Sequence, residues 1–243
     1  MILNERDYVD RLLPTNTFSD KPINDIRLAA RYFYADGYNE EVVRQKVREL
    51  LIRCDPTANV VLWGDTLDRQ VRKAAKRGLI EIDCIPITQS EIDTVSSLPT
   101  KTMKKVLFSF LCSAKFYDMV NPNNNGWTNA PIKDICSMAG VTLTTHKQHE
   151  MRGELSQRGL LELSRVVDNA NTRVTFIDHD GDAVMKVDDM RNLGNQFLMH
   201  MGEKYLQCAE CGLVVPRRSN HQLYCQDCTK NMTHKKKQFN SIS

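Results

Sequence analysis

Apolar residues recur at helical spacing through much of the first hundred positions. From Asn24, the residues Ile26, Leu28, Ala29, Ala30 and Phe33 supply one apolar side, and Asp36-Gly37 closes the run. A second helix is predicted from Asn39, with Val42, Val43, Val47, Leu50 and Leu51 inward and Arg44, Lys46, Arg48 and Glu49 outward; it should stop before Asp55-Pro56. Val60–Trp63 is a short apolar run that reads as a buried strand. Asp65 then suits the N-cap of a third helix with Leu67, Val71, Ala74 and Ala75 inside and Gly78 at its end. The polar side of that helix carries Arg69, Arg72, Lys73, Lys76 and Arg77, a pattern that fits either a solvated face or contact with phosphates. Met1–Lys21 shows no firm period and reads as an arm or lead-in strand. Leu79–Ile85 alternates in part and predicts a strand ending at Pro86. Thr88-Gln-Ser-Glu91 is a capping box that opens a helix with Ile92, Val95 and Leu98.

Further along, Thr100 caps a long helix that is apolar around much of its circumference (Met103, Val106, Leu107, Phe110, Leu111, Ala114), the mark of a core helix. Asn121–Gly126 is a turn. Pro131 starts a helix with Ile132, Ile135, Cys136 and Met138 on its apolar side, and Ala139-Gly140-Val141 turns the chain. Thr145-His-Lys-Gln148 reads as another capping box, opening a helix through Arg158 with Met151 and Leu155 inward. Leu160–Val167 and Thr172–Ile177 are β-rich runs joined by a short polar turn. Ala183–Val187 allows one more strand, and Asp188-Asp189 cap a helix with Met190, Leu193, Phe197 and Met201.

The chemistry gathers at the carboxyl end. Cys208-Ala-Glu-Cys211 and Cys225-Gln-Asp-Cys228 are two tight turns, each offering two thiols. Brought together they make a closed four-sulfur site, which predicts one structural Zn²⁺ and no open position for catalysis. Two disulfides or four unrelated thiols are the alternatives. Gly212 tolerates the turn after the first pair. Val214–Pro216 reads as a strand with Leu223-Tyr224 returning beside it, the outline of a zinc ribbon or treble-clef knuckle. Arg217, Arg218, Lys230, Lys235, Lys236 and Lys237 make the module positive, which suits a phosphate backbone or a plain soluble surface. The other four cysteines, Cys54, Cys84, Cys112 and Cys136, are scattered and read as small hydrophobes.

The order helix, helix, glycine turn, helix, hairpin over Thr100–Asp178 resembles the winged helix-turn-helix family. That resemblance implies that the helix from His146 to Arg158 lies in a DNA major groove, with His146, His149, Gly153 and Gln157 outward. Lys147, Gln148 and Arg152 then have the chemistry for phosphate or base-edge contacts, and Arg165 and Arg173 on the hairpin would reach a flanking groove. Glu150 and Glu154 on the same helix fit a protein partner better than a polyanion. The whole arrangement is similar to phage and mobile-element DNA-binding proteins, which implies a part in replication or transcription control.

The chain has 243 residues, 41% of them hydrophobic and 26% charged, so a sizeable core is expected. A net charge of only +3 excludes a uniformly basic coat but allows local patches. The expected architecture is mainly α with short β: a helical N-terminal domain over 1–98, a winged helix with a connecting helix over 99–200, and a zinc ribbon with basic tail over 201–243. No glycine loop for phosphates, no Ser/His/Asp set and no paired carboxylates are recognisable, so a binding protein is predicted and not an enzyme. Asp178–Asp182 lacks the order of a calcium loop and reads as a charged turn. No signal peptide is visible, and nothing approaches the roughly 20 apolar residues that span a bilayer, so the cytoplasm is the expected location and no membrane partner is expected. Double-stranded DNA is the leading partner, with a zinc-stabilised adaptor for a host or phage protein as the alternative and RNA binding by the knuckle as a third.

Overall fold

The computed structural model describes residues 1–164 and 171–232. The chain is mainly helical with short strands in small sheets, and it divides into two compact units, Met1–Asp83 and Cys84–Ser243.

In the first unit, α1 (Glu5–Leu12), α2 (Pro22–Ala35), α3 (Glu40–Cys54) and α4 (Val60–Ala74) enclose one core. Val9, Ile26, Val43, Val47, Leu50 and Val71 are fully buried in it. Where an arm or strand is expected at the start, a helix forms instead. Asn4 accepts the Asp7 amide as N-cap, and Val9 and Leu12 are the inward pair among charges that hide the period. Glu5 is buried against Arg31 at 2.6 Å, and its other oxygen accepts the Ile80 amide.

Val60–Trp63 is likewise no strand. Asn59 accepts the amides of Val61 and Leu62, so the helix begins one turn before Asp65, and Val61 and Leu62 stand 84% and 79% exposed. A short apolar run carries no intrinsic period, and here the cap decides the outcome. Residues 79–82 do not form a full strand; they return to residues 3–5 through the Glu5 amide on Ile80 O and the Ile82 amide on Leu3 O.

The second unit opens with β1 (Ile85–Thr88), which contains Pro86, and α5 (Gln89–Ser96). The capping box forms: Thr88 accepts the Glu91 amide and Glu91 accepts the Thr88 amide. These two elements pack against later parts of the chain, so the boundary falls after Asp83 and not after residue 98. α6 (Lys101–Val120), capped by Thr100, runs through the core with Phe108, Phe110, Leu107 and Leu111 fully buried. Asn125 and Gly126 take positive φ in the turn after α6, and a Cβ on Gly126 would meet Val174 O at 2.8 Å.

Next come β2 (Trp127–Thr128), α7 (Ile132–Met138), α8 (Thr145–Gln157), β3 (Leu161–Leu163) and β4 (Thr172–Val174). The three strands form an antiparallel sheet in the order β2-β4-β3. α8 is capped by Thr144, one residue earlier than the sequence pattern suggests. β5 (Ala183–Val187) pairs antiparallel with β1, about a hundred residues away, with Ile85 opposite Val187. α9 (Leu193–His200) starts later than Asp188-Asp189 suggest, because Asn192 takes the left-handed conformation just before it. β6 (Tyr205–Gln207) and β7 (Val214–Pro216) form the last hairpin, and residues 226–232 are helical. Among the described residues, no helix is long and apolar enough to cross a membrane.

One buried ion pair ties the second unit together. Lys115 Nζ on α6 donates to both Glu91 oxygens at 2.8 and 2.9 Å, and Glu91 also accepts the amide of Asp178. Glu91 is 0% and Lys115 5% exposed. Asp178 itself caps its turn, taking the amides of Asp180 and Gly181 and the Ser90 hydroxyl, as a charged turn should.

Candidate metal centre

The hairpin of β6 and β7 sets the first pair of thiols. Cys208 follows β6, its amide donates to Leu213 O, and the Gly212 amide donates back to Cys208 O. Gly212 has φ +73°, a conformation that admits this tight return. The second pair lies at the start of the helix over 226–232 and not on a returning strand: Leu223-Tyr224 pairs with no β-strand among the described residues, although Leu223 O accepts the Ala209 amide. The Cys228 amide points at Cys225 Sγ at 3.5 Å, so a thiol takes the position of an N-cap oxygen.

Cys208, Cys211, Cys225 and Cys228 bring their sulfurs within 4.8 Å of one another. The Cys211 and Cys225 sulfurs are 3.8 Å apart. A disulfide would need about 2.05 Å, and all eight cysteines are free thiols. A tetrahedral ion with sulfur bonds of about 2.3 Å spaces neighbouring sulfurs about 3.8 Å apart. The four residues can therefore hold one metal ion. Among the described residues they are the one group of His, Cys, Asp or Glu side chains close enough to do so.

The electrostatics agree with a thiolate site. Burial pushes the Cys208 thiol up, but the converging amides of Cys225, Cys211 and Glu210 outweigh it and hold the group down at about 6. Burial raises Cys211, and the hydrogen bond to Cys225 together with burial raises Cys228. Such a set resists carrying four negative charges by itself, and a dication removes that resistance.

Residues without any metal-like spacing hold the module in place. Arg191 Nη2 donates to Cys211 O at 2.8 Å while its guanidinium grips Asp189. Asn195 on α9 donates to Val214 O at 3.0 Å and accepts Lys105 Nζ from α6 at 2.7 Å. No local sequence signal marks these three; only the folded chain brings them to the hairpin.

The residues expected to touch nucleic acid fall into three groups. His146, Lys147, His149 and Arg152 share α8, whose single buried residue is Leu155. His146, 82% exposed, faces Glu150 at 3.3 Å. Gln148 is engaged locally, donating to Leu143 O. Lys147 and Arg152 have no side-chain partner among the described residues. In the second group, Arg173 and Arg217 are committed to structure. Arg173 bonds Asn125 and Glu162, and Arg217 donates to Ser219 O and Asn220 O in its own turn. Arg218 and Lys230 are exposed, Lys230 two residues beyond Cys228. The third group, Arg165 and Lys235–Lys237, lies outside the described residues.

No family model and no solved structure matches the chain.

Proposed function

We propose that this is a duplex-DNA-binding protein in which α8 enters a groove and a Zn²⁺-filled knuckle rests on the backbone. The observation that carries the reading is α8. It is the second helix of a pair joined by a glycine turn, Gly140 at φ +64°, and it buries only Leu155. Thirteen residues held on one apolar anchor leave their polar side chains available to a partner. The order α6-β2-α7-α8-β3-β4 with sheet order β2-β4-β3 supports a winged helix-turn-helix, in which the second helix is the groove reader. Lys147 and Arg152 are the side chains for phosphate or base edges. The four thiols fit Zn²⁺ in a structural role, with every position filled by sulfur.

The test is an equilibrium titration of labelled random and mixed-sequence duplexes at several salt concentrations. Binding whose logarithm falls linearly with the logarithm of salt supports the reading. K147Q/R152Q should weaken it at least tenfold at fixed salt, since each lost charge-assisted contact is worth about 1–3 kcal/mol. A protein that ignores duplex DNA at low salt refutes it. The Glu150 and Glu154 carboxylates favour a second reading, a protein-docking α8, and that outcome would point to it.

A further inference from the structure

α4 carries a second polycationic surface, in the other unit of the chain. Arg69, Arg72, Lys73, Lys76 and Arg77 recur at the i, i+3, i+4, i+7, i+8 spacing that gathers residues on one helical side. Leu67, Val71 and Ala74 are buried on the opposite side, and all five cations are exposed. Lys76 and Arg77 lie just past Ala74, where their amides bond Lys73 O and Ala74 O and continue the winding.

The surrounding acids do not neutralise this stripe. Asp68 is held by Arg44 at 2.7 Å and reaches Arg72 only at 3.9 Å. Asp65 sits one turn earlier, and the next acid along the chain is Glu81, which pairs with Arg6. Cations near a helix C-terminus complement the macrodipole, but that effect fades within the last turn. It does not account for Arg69, which lies before the last turn of α4. Eight residue steps at 1.5 Å span about 12 Å. A DNA strand presents a phosphate for about every 3.4 Å of axis, so the stripe matches about three consecutive phosphates.

We infer that the α4 stripe is a non-sequence-specific contact for the duplex-DNA phosphate backbone, separate from the α8 site. The inference rests on the DNA-binding reading and adds a second foothold to it. Arginine and lysine on a smooth helical side contact phosphates without reading bases.

The experiment uses the full chain and a random-sequence duplex, with R72Q/K73Q/K76Q as the test variant. Glutamine keeps the helix propensity of the residues it replaces, and circular dichroism checks the fold. Parent and variant are titrated from low to moderate salt beside K147Q/R152Q. The stripe variant should lower the steepness of log K against log salt by about 2–3, at about 0.9 for each phosphate released. An unchanged slope, with K147Q/R152Q still weakening binding, overturns the stripe and leaves the α8 reading intact. A reduced slope with K147Q/R152Q inert leaves the stripe standing and removes α8. A parent that does not bind duplex overturns both. Stripe-dependent binding that prefers single-stranded RNA at equal nucleotide concentration overturns the assignment to duplex.

Discussion

Replacing Lys115 by methionine would leave Glu91 charged and buried with no cation beside it. In the native chain the ammonium lies 2.8–2.9 Å from both carboxylate oxygens and also donates to Asp178 O at 3.3 Å. Removing one member of such a pair costs about 3–5 kcal/mol, because the other is left uncompensated away from water. Glu91 would keep two donors, the amides of Thr88 and Asp178, which places the loss near the lower end, at about 3 kcal/mol. For a unit of roughly 160 residues, each kcal/mol lowers the melting midpoint by about 2–4 °C. K115M should therefore melt about 6–12 °C below the parent, and E91Q should lose a similar amount by stranding the ammonium. The double variant E91Q/K115M buries no charge and keeps an acceptor for one amide, so it should cost at least about 2 kcal/mol less than the two singles together. Calorimetry and urea titration of all four proteins give the cycle. Single losses below about 1 kcal/mol, or additivity within about 0.5 kcal/mol, would refute the reasoning.

The remaining predictions concern the metal, a close approach and acid. Purified protein should carry one zinc per chain by elemental analysis, and C225S should lose it; in the parent, chelation should make four further thiols reactive. Gly194 lies where a Cβ would come within 2.5 Å of Ala139 O and Lys105 Cγ, so G194A should lose about 1–3 kcal/mol in urea titration as α9 is forced off α6. The Ser90 hydroxyl and then the Gly181 and Asp180 amides hold the Asp178 carboxyl down at about 2, from an ordinary 3.8. A depressed carboxyl stabilises the fold above its unfolded value and ceases to do so as pH falls through the folded value. That contribution should fade between about pH 4 and pH 2, and S90A should move the acid transition to higher pH by circular dichroism.

Local chemistry was readable from the residues alone, and distant pairing was not. Thr88 with Glu91, Asn39 and Thr100 cap the helices that their side chains predict, since a cap needs only the next three residues. The two Cys-x-x-Cys turns were legible for the same reason: each is complete within four positions. The β1–β5 pairing joins residues about a hundred apart, and nothing in Ile85–Thr88 announces Ala183–Val187 as its partner. Val60–Trp63 reads as a strand because four apolar residues fit either period, and Asn59 tips the balance. Leu223-Tyr224 reads as a strand returning beside Val214–Pro216, whereas the thiols at 225 and 228 sit at a helix start that brings an amide to sulfur. The supports of the candidate site, Arg191 and Asn195, carry no motif because their task is to meet carbonyl oxygens that only the folded hairpin presents.

The chain of bonds from Lys105 through Asn195 to Val214 O has a thermodynamic consequence. A knuckle fastened to α6 in this way is not a bead swinging on a string. An ion that favours the closed thiols over the open ones favours the packed α6 and α9 by the same free energy, about 4 kcal/mol when free metal exceeds its dissociation constant a thousandfold. The melting point of the second unit should then track metal supply, making the stability of this protein a readout of the ion activity around it.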